Sequence, residues 1–233
     1  MAISYKKRRT VVSMVMLSIF AVIVIINTPS QINQISPTDI EEPGIATDAA
    51  MSVLEKLDIK GRAPKTGYSR NQFGNGWATT GGCDTRNIIL NRDLINSVVD
   101  EGCNVTSGTL NDPYTGKVID FIRGGNTSSA VQIDHVVALS DAWQKGAQQL
   151  TSEKRTLLAN DPLELLAVEG SANLQKSDGD AATWLPSNKS FRCQYVARQV
   201  AIKQKYNLWL TKAEYDVIAD ILSKCPNQLL PNP

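Results

Sequence analysis

His135 is the one histidine in 233 residues, and an acid, Asp134, stands directly before it in the run VQIDHVVALSDAW (131–143). A neutral imidazole with a pKa near 6.5 can take a proton from water at neutral pH. The neighbouring carboxylate is a hard oxygen donor. Asn173 opens a short Asn-x-x-Lys segment ending at Lys176, and its amide oxygen is a second hard donor. Mg²⁺ accepts such oxygens and fills its remaining positions with water or substrate. A base and a metal site held together are the equipment of hydrolysis. A lone histidine on an apolar strand is more often a core residue. The acid before it and the amide downstream weigh against that.

These residues need elements to position them. AVQIDHVV is a strand candidate, PLELLAV (162–168) a second strand, and SANLQK (171–176) a short helix with Ser171 as its N-cap. LSDAWQKGAQQL and SEKRTLLAN read as helical between the strands. Neighbouring strand residues point to opposite faces, so Asp134 and His135 share a site only if the chain bends near 134–137. Upstream, a helix is expected near 47–58 and another over 85–95, while the Gly-rich stretch 60–82 reads as loop. NVTSGTL and VIDFI flank the turn-rich NDPYTGK and predict a β-hairpin. Downstream, residues 190–206 form a long helix with Phe191, Tyr195, Ile202 and Tyr206 on one stripe. TKAE (211–214) is a capping box opening a last helix that turns Tyr215, Ile218, Ile221 and Leu222 inward. Trp143 and Trp184 are expected in the core.

Net charge is +1, but the four cations of Lys6, Lys7, Arg8 and Arg9 leave −3 on the chain beyond residue 30. A polyanion must therefore be bound by a local patch. The basic cluster followed by the uncharged run 11–26 predicts a secretion signal or an anchor over 1–30, then a linker over 31–45 and a single domain over 46–233. The expected location is secreted or on the outer face of the membrane. Four cysteines without a C-x-x-C pair disfavour a zinc ribbon and suggest two disulfides. Of three possible pairings, Cys83–Cys103 with Cys193–Cys225 closes short loops and ties the last two helices together.

IDHVVAL followed by NDPLELLAVEGSANLQKSD resembles the HNH, or ββα-metal, nucleases. Residues 68–225, with YSRNQFG, GGCDTRN, DPYTGK, DHVVALSDAW and DAATWLPSNKSFRC in order, are similar to secreted bacterial HNH endonuclease-family proteins. Those are related to the nuclease domain of GmrSD-type restriction enzymes. The resemblance implies an α+β fold: a ββα core over about 130–178, wrapped by helices, with the hairpin region packed against it. It implies phosphodiester hydrolysis with His135 as general base, Asp134 and Asn173 holding a divalent cation (Mg²⁺, with Mn²⁺ or another as substitutes), and a 5′-phosphate product. DNA is favoured over RNA as the partner.

The pattern departs from that family at one place. The middle asparagine usually stands nine residues before the third motif residue, and here that position is Glu164. Asn160 lies close by, so Asn160 or Glu164 is expected to orient the histidine. Lys176, Asp178 and Asp180 are candidates for phosphate or metal contact. Lys189, Arg192 and Lys203 share one stripe of the long helix and are the expected nucleic-acid surface. Arg86 and Arg123 are further basic candidates without a placement. No sequence-reading module accompanies the motif, which implies little specificity. The competing possibility is an anchored envelope-binding protein that keeps the scaffold without catalysis. A wall glycosidase needs paired carboxylates in a cleft, and Asp178 and Asp180 are too generic to supply them.

Overall fold

Two antiparallel strands, β6 (Val131–His135) and β7 (Leu165–Glu169), form the centre of the fold, with Ile133 opposite Ala167 and His135 opposite Leu165. β7 is apolar up to Glu169 because both of its faces are covered, whereas β6 brings the polar Gln132, Asp134 and His135 into the same layer. Val131, Ile133, Leu165 and Ala167 pack with Ile89, Leu90 and Phe121 on one side. Val136, Leu166 and Val168 pack with Tyr195, Val200 and Ile218 on the other. Each fully buried aliphatic side chain is worth roughly 1.5–3 kcal/mol, so these strands are strongly held.

The computed structural model describes residues 49–124 and 127–231. The expected signal or anchor segment and the linker lie outside the described residues. Among the described residues no helix is long and apolar enough to cross a membrane.

In chain order the elements are α1 (Ala50–Leu54), a 3-10 turn at Arg70–Phe73, β1 (Thr79–Thr80), β2 (Cys83–Asp84) and α2 (Thr85–Asp93). Next come β3 (Ile95–Val99), β4 (Val105–Asn111), β5 (Val118–Ile122), β6, α3 (Leu139–Gln144), α4 (Ser152–Ala159) and β7. The chain closes with α5 (Gly170–Lys176), α6 (Arg192–Lys205) and α7 (Lys212–Ser223). The chain is thus a mixed α and β fold with small sheets and, among the described residues, seven α-helices.

Strands β4 and β5 form the expected hairpin, with Thr109 opposite Asp120. A third strand, β3, completes that sheet and was not read from the sequence. Its pairing slips between Ile95 and Val98, and Asn96 has φ 52°. An irregular strand has no period-2 signature. The first helix is shorter than expected, and the 60–82 loop carries the 3-10 turn and β1.

Helix α5 begins one residue earlier than expected. Glu169 is its N-cap position, so Ser171 lies inside the helix and caps nothing. Gly170 makes the tight junction possible. A Cβ there would lie 2.3 Å from the Ser129 carbonyl oxygen, closer than any side chain tolerates. Thr211 and Glu214 form the reciprocal capping box at α7. The disulfides are Cys83–Cys103 and Cys193–Cys225, with Cα–Cα distances of 5.4 and 6.4 Å.

Candidate active site

Asp134 and His135 leave strand β6 on opposite faces, as strand geometry requires. The ladder is regular through both, and the chain bends at 136–137, just past the strand end. Yet the two residues line one cleft of about 530 Å³, together with Asn173. The site is therefore assembled at a strand terminus, where the last side chains of both faces reach the same opening.

Both members of the pair are buried, at 5% and 6% exposure. The His135 Nε2 lies 2.9 Å from the Ala159 carbonyl oxygen. A carbonyl only accepts, so Nε2 carries the proton and Nδ1 is left with its lone pair. The Trp77 ring lies parallel to the imidazole, 5.7 Å away between centroids. Burial pushes the imidazole pKa down to about 3, against the pull of the Ala159 carbonyl. The ring is therefore neutral, the form a general base needs.

The Asp134 carboxylate accepts from the Tyr114 hydroxyl at 2.5 Å and from the Lys176 ammonium at 3.0 Å. Lys176 also donates to the His135 carbonyl at 2.7 Å. Burial raises the Asp134 pKa, while Lys176 and Tyr114 oppose that rise. Asn173 donates its amide nitrogen to Gln132 Oε1 at 2.9 Å, leaving its amide oxygen as the available donor.

The two expected helpers do other work. Asn160 accepts from the Ala78 backbone N–H at 2.8 Å and donates to Thr156. It tethers the segment that carries Trp77 and does not touch the imidazole. Glu164 accepts from the Val137 N–H through both oxygens at 3.2 Å, which fixes the bend after His135. Burial raises its carboxyl pKa well above the ordinary range. Orientation of the ring falls instead to Ala159 and Trp77.

The expected nucleic-acid stripe is not continuous. Lys189 is exposed, and Arg192 donates to the Pro186 carbonyl. Lys203 is fully buried, 3.0 Å from Glu214, and so is withdrawn from that surface. Lys176 is also buried against Asp134 instead of meeting phosphate directly. Helical spacing alone does not reveal a lysine neutralised by distant acids. Asp180 is likewise taken, by Lys145 and Arg62, while Asp178 lines the cleft and pairs with Lys65. Trp143 is in the core and Trp184 packs against it. Arg123 is fixed to the Val105 carbonyl, whereas Arg86 reaches the cleft. The sequence reading missed Trp77, Tyr114 and Arg70. The two aromatics that flank Asp134–His135 come from unpatterned turns, and only the aromatic content of those loops hinted at a role.

Residues 84–221 match the family described as GmrSD restriction endonucleases, C-terminal domain. A protein of Arthroderma benhamiae, described as an uncharacterized secreted protein, is 34% identical over 211 residues, covering 90% of this chain and 98% of the relative.

Proposed function

The chain belongs to the family of GmrSD restriction endonuclease C-terminal domains, and from that premise we propose that it is an exported, metal-dependent endonuclease of HNH type. Its substrate is the phosphodiester backbone of nucleic acid, DNA ahead of RNA, cut with little regard to sequence. The observation that carries this reading is the tautomer of His135. The Ala159 carbonyl holds the proton on Nε2 and leaves Nδ1 free in a residue that lines the same cleft as Asp134 and Asn173.

In this reading His135 Nδ1 takes a proton from the attacking water. The hydroxyl oxygen bonds to phosphorus, the P–O3′ bond breaks, and the departing 3′ oxygen is protonated, giving a 5′-phosphate and a 3′-hydroxyl. Trp77 and Ala159 hold the imidazole plane, and Glu164 holds the bend behind it. The strand pair β6–β7 with α5 would be the ββα-metal core, inside a nuclease domain over 46–233.

Among the described residues no three His, Cys, Asp or Glu side chains are grouped so as to hold a metal ion, so a divalent cation here would rest on two protein oxygens, with water and phosphate completing its shell. An ionised carboxylate offers about four acceptor positions, and Asp134 spends two on Tyr114 and Lys176. Asp134 and Asn173 supply hard oxygens on one cleft, suited to Mg²⁺ and to Mn²⁺. A bound ion there would neutralise charge on the phosphate and on the departing oxygen.

The disulfides and the secreted relative support a location outside the cytoplasm. Residues 1–30 would serve as signal or anchor and 31–45 as linker. The test is plasmid digestion with Mg²⁺, with and without EDTA, by the wild type and His135→Ala. Cutting by the wild type alone, abolished by EDTA, is expected. Equal cutting by both proteins, or none by either, removes the reading.

A further inference from the structure

The charges around the cleft do not balance locally. Each of its acids already has a lysine: Asp134 has Lys176 at 3.0 Å and Asp178 has Lys65 at 3.1 Å. Its two arginines, Arg70 and Arg86, form no salt bridge among the described residues. The exposed Arg70 side chain makes no hydrogen bond or ion pair among the described residues. Arg86, half-buried, makes one long bond, 3.3 Å to the Val131 carbonyl. The other arginines are better satisfied: Arg62 bridges Asp141 and Asp180 and Arg92 pairs with Asp93, while Arg123, Arg155, Arg192 and Arg198 each donate to a carbonyl at 2.8 Å or less. A partly desolvated guanidinium without a counter-charge is costly. Burial and the neighbouring Arg123 work against the charge on Arg86, and Asp84 offsets them only in part. Among the described residues the cleft thus presents two guanidinium groups held by no ion pair, one exposed and one half-buried.

Their positions differ. Arg70 lines the main cleft and also a smaller adjoining cavity of about 210 Å³, and His135 lines both. Arg70 therefore stands at the junction, beside the imidazole. Arg86 is bonded at Val131, the far end of β6, roughly 13 Å of strand from His135. Residue 70 also lies outside the 84–221 family match.

We propose that Arg70 and Arg86 bind the nucleic-acid backbone, Arg70 on the scissile phosphate at His135 and Arg86 on a phosphate further along the strand. This rests on the nuclease reading. A planar guanidinium suits two oxygens of one phosphate. Arg70, at the reacting phosphorus, meets charge that grows as water attacks. Arg86 meets charge that does not change during the reaction.

The experiment uses the disulfide-bonded protein and a fluorescent DNA duplex in EDTA, with affinity measured against salt. Arg70→Ala and Arg86→Gln should each reduce the slope of log affinity on log salt by about 0.9, the loss of one phosphate contact. With Mg²⁺, Arg70→Ala should lower kcat/KM roughly 100-fold, mainly in kcat, and Arg70→Lys should keep the salt slope while recovering part of the rate. Arg86→Gln should raise KM with little change in kcat. Unchanged slopes and kinetics in both variants, with a wild type that binds and cuts, overturn this inference and leave the nuclease reading intact. A wild type that neither binds nor cuts removes both.

Discussion

Trp77 lies flat against His135, with the two rings 8° from parallel. The indole runs parallel to the imidazole with centroids 5.7 Å apart, while the Ala159 carbonyl accepts from its edge. Ring position is thereby set by two contacts distant in sequence, one from the loop that carries Trp77 and one from the last residue of α4. Trp77→Ala should lower kcat roughly 10- to 100-fold with a smaller change in KM, the expected result of a catalytic group displaced by about 1 Å. Trp77→Phe should keep most of the activity. Steady-state kinetics on supercoiled plasmid decides it, and an unaffected kcat in Trp77→Ala rules out a positioning role.

The buried imidazole gives the fold an acid-side weakness. Burial holds the His135 pKa at about 3, against about 6.5 in the unfolded chain. Between those values the unfolded chain carries a proton that the folded one does not. The contribution to stability is therefore complete above pH 6.5 and is lost as pH falls toward 3, by up to about 1.4 kcal/mol per pH unit. His135→Ala lacks this slope. Urea titrations should show the stability gap between wild type and variant narrowing as pH drops from 7 to 4. A constant gap contradicts the burial argument.

Glu164 stands where the resemblance to HNH nucleases implies an asparagine, and it accepts from the Val137 N–H. Its raised pKa favours the uncharged acid, which a glutamine mimics in shape. Glu164→Gln should stay within about 1 kcal/mol of wild type. Glu164→Leu strands a buried N–H and should cost about 1–3 kcal/mol. Thermal melts of both variants separate the two outcomes, and equal melting temperatures remove the proposed role for the carboxyl.

How much of this was legible in the sequence follows from where each signal lives. Strands β6 and β7, the hairpin, the long helix and the Thr211 capping box are local patterns of hydrophobicity or turn residues, and the expectation met the structure there. The two disulfides are the sequence-local pairing. Lys203 went the other way. Its burial depends on Glu214 and Asp141, residues of other helices, and nothing within α6 announces them. Arg70, Trp77 and Tyr114 sit in turns without periodicity, so their approach to Asp134 and His135 exists only in three dimensions. Asn160 was drawn to the site by its number in the chain, whereas its side chain faces Ala78.

A second consequence of distant pairing concerns Lys145. Fully buried, it contacts Asp141 at 2.7 Å, Asp180 at 2.8 Å and Glu214 at 2.6 Å. Lys145→Met would leave three acids short of a cation and should cost about 3–5 kcal/mol. A shift in urea midpoint measures this, and a loss below about 1 kcal/mol shows that Lys203 and Arg62 suffice alone.

The disulfides span 20 and 32 residues of chain. Opening each should cost about 2–4 kcal/mol through the freedom returned to the unfolded state. Calorimetry with and without reductant should show a lower melting temperature on reduction. No shift shows that the bridges carry no stability.

Lys176 reaches the Asp134 carboxylate and the His135 carbonyl with one ammonium. The charge that spaces these two neighbours is covalently part of α5. Acid, imidazole and helix are therefore tied to one another through a side chain of the protein itself. An ion entering a site already tied together in this way would add only its own binding energy, so stripping it away should halt turnover and lower the melting temperature by no more than that binding contributes.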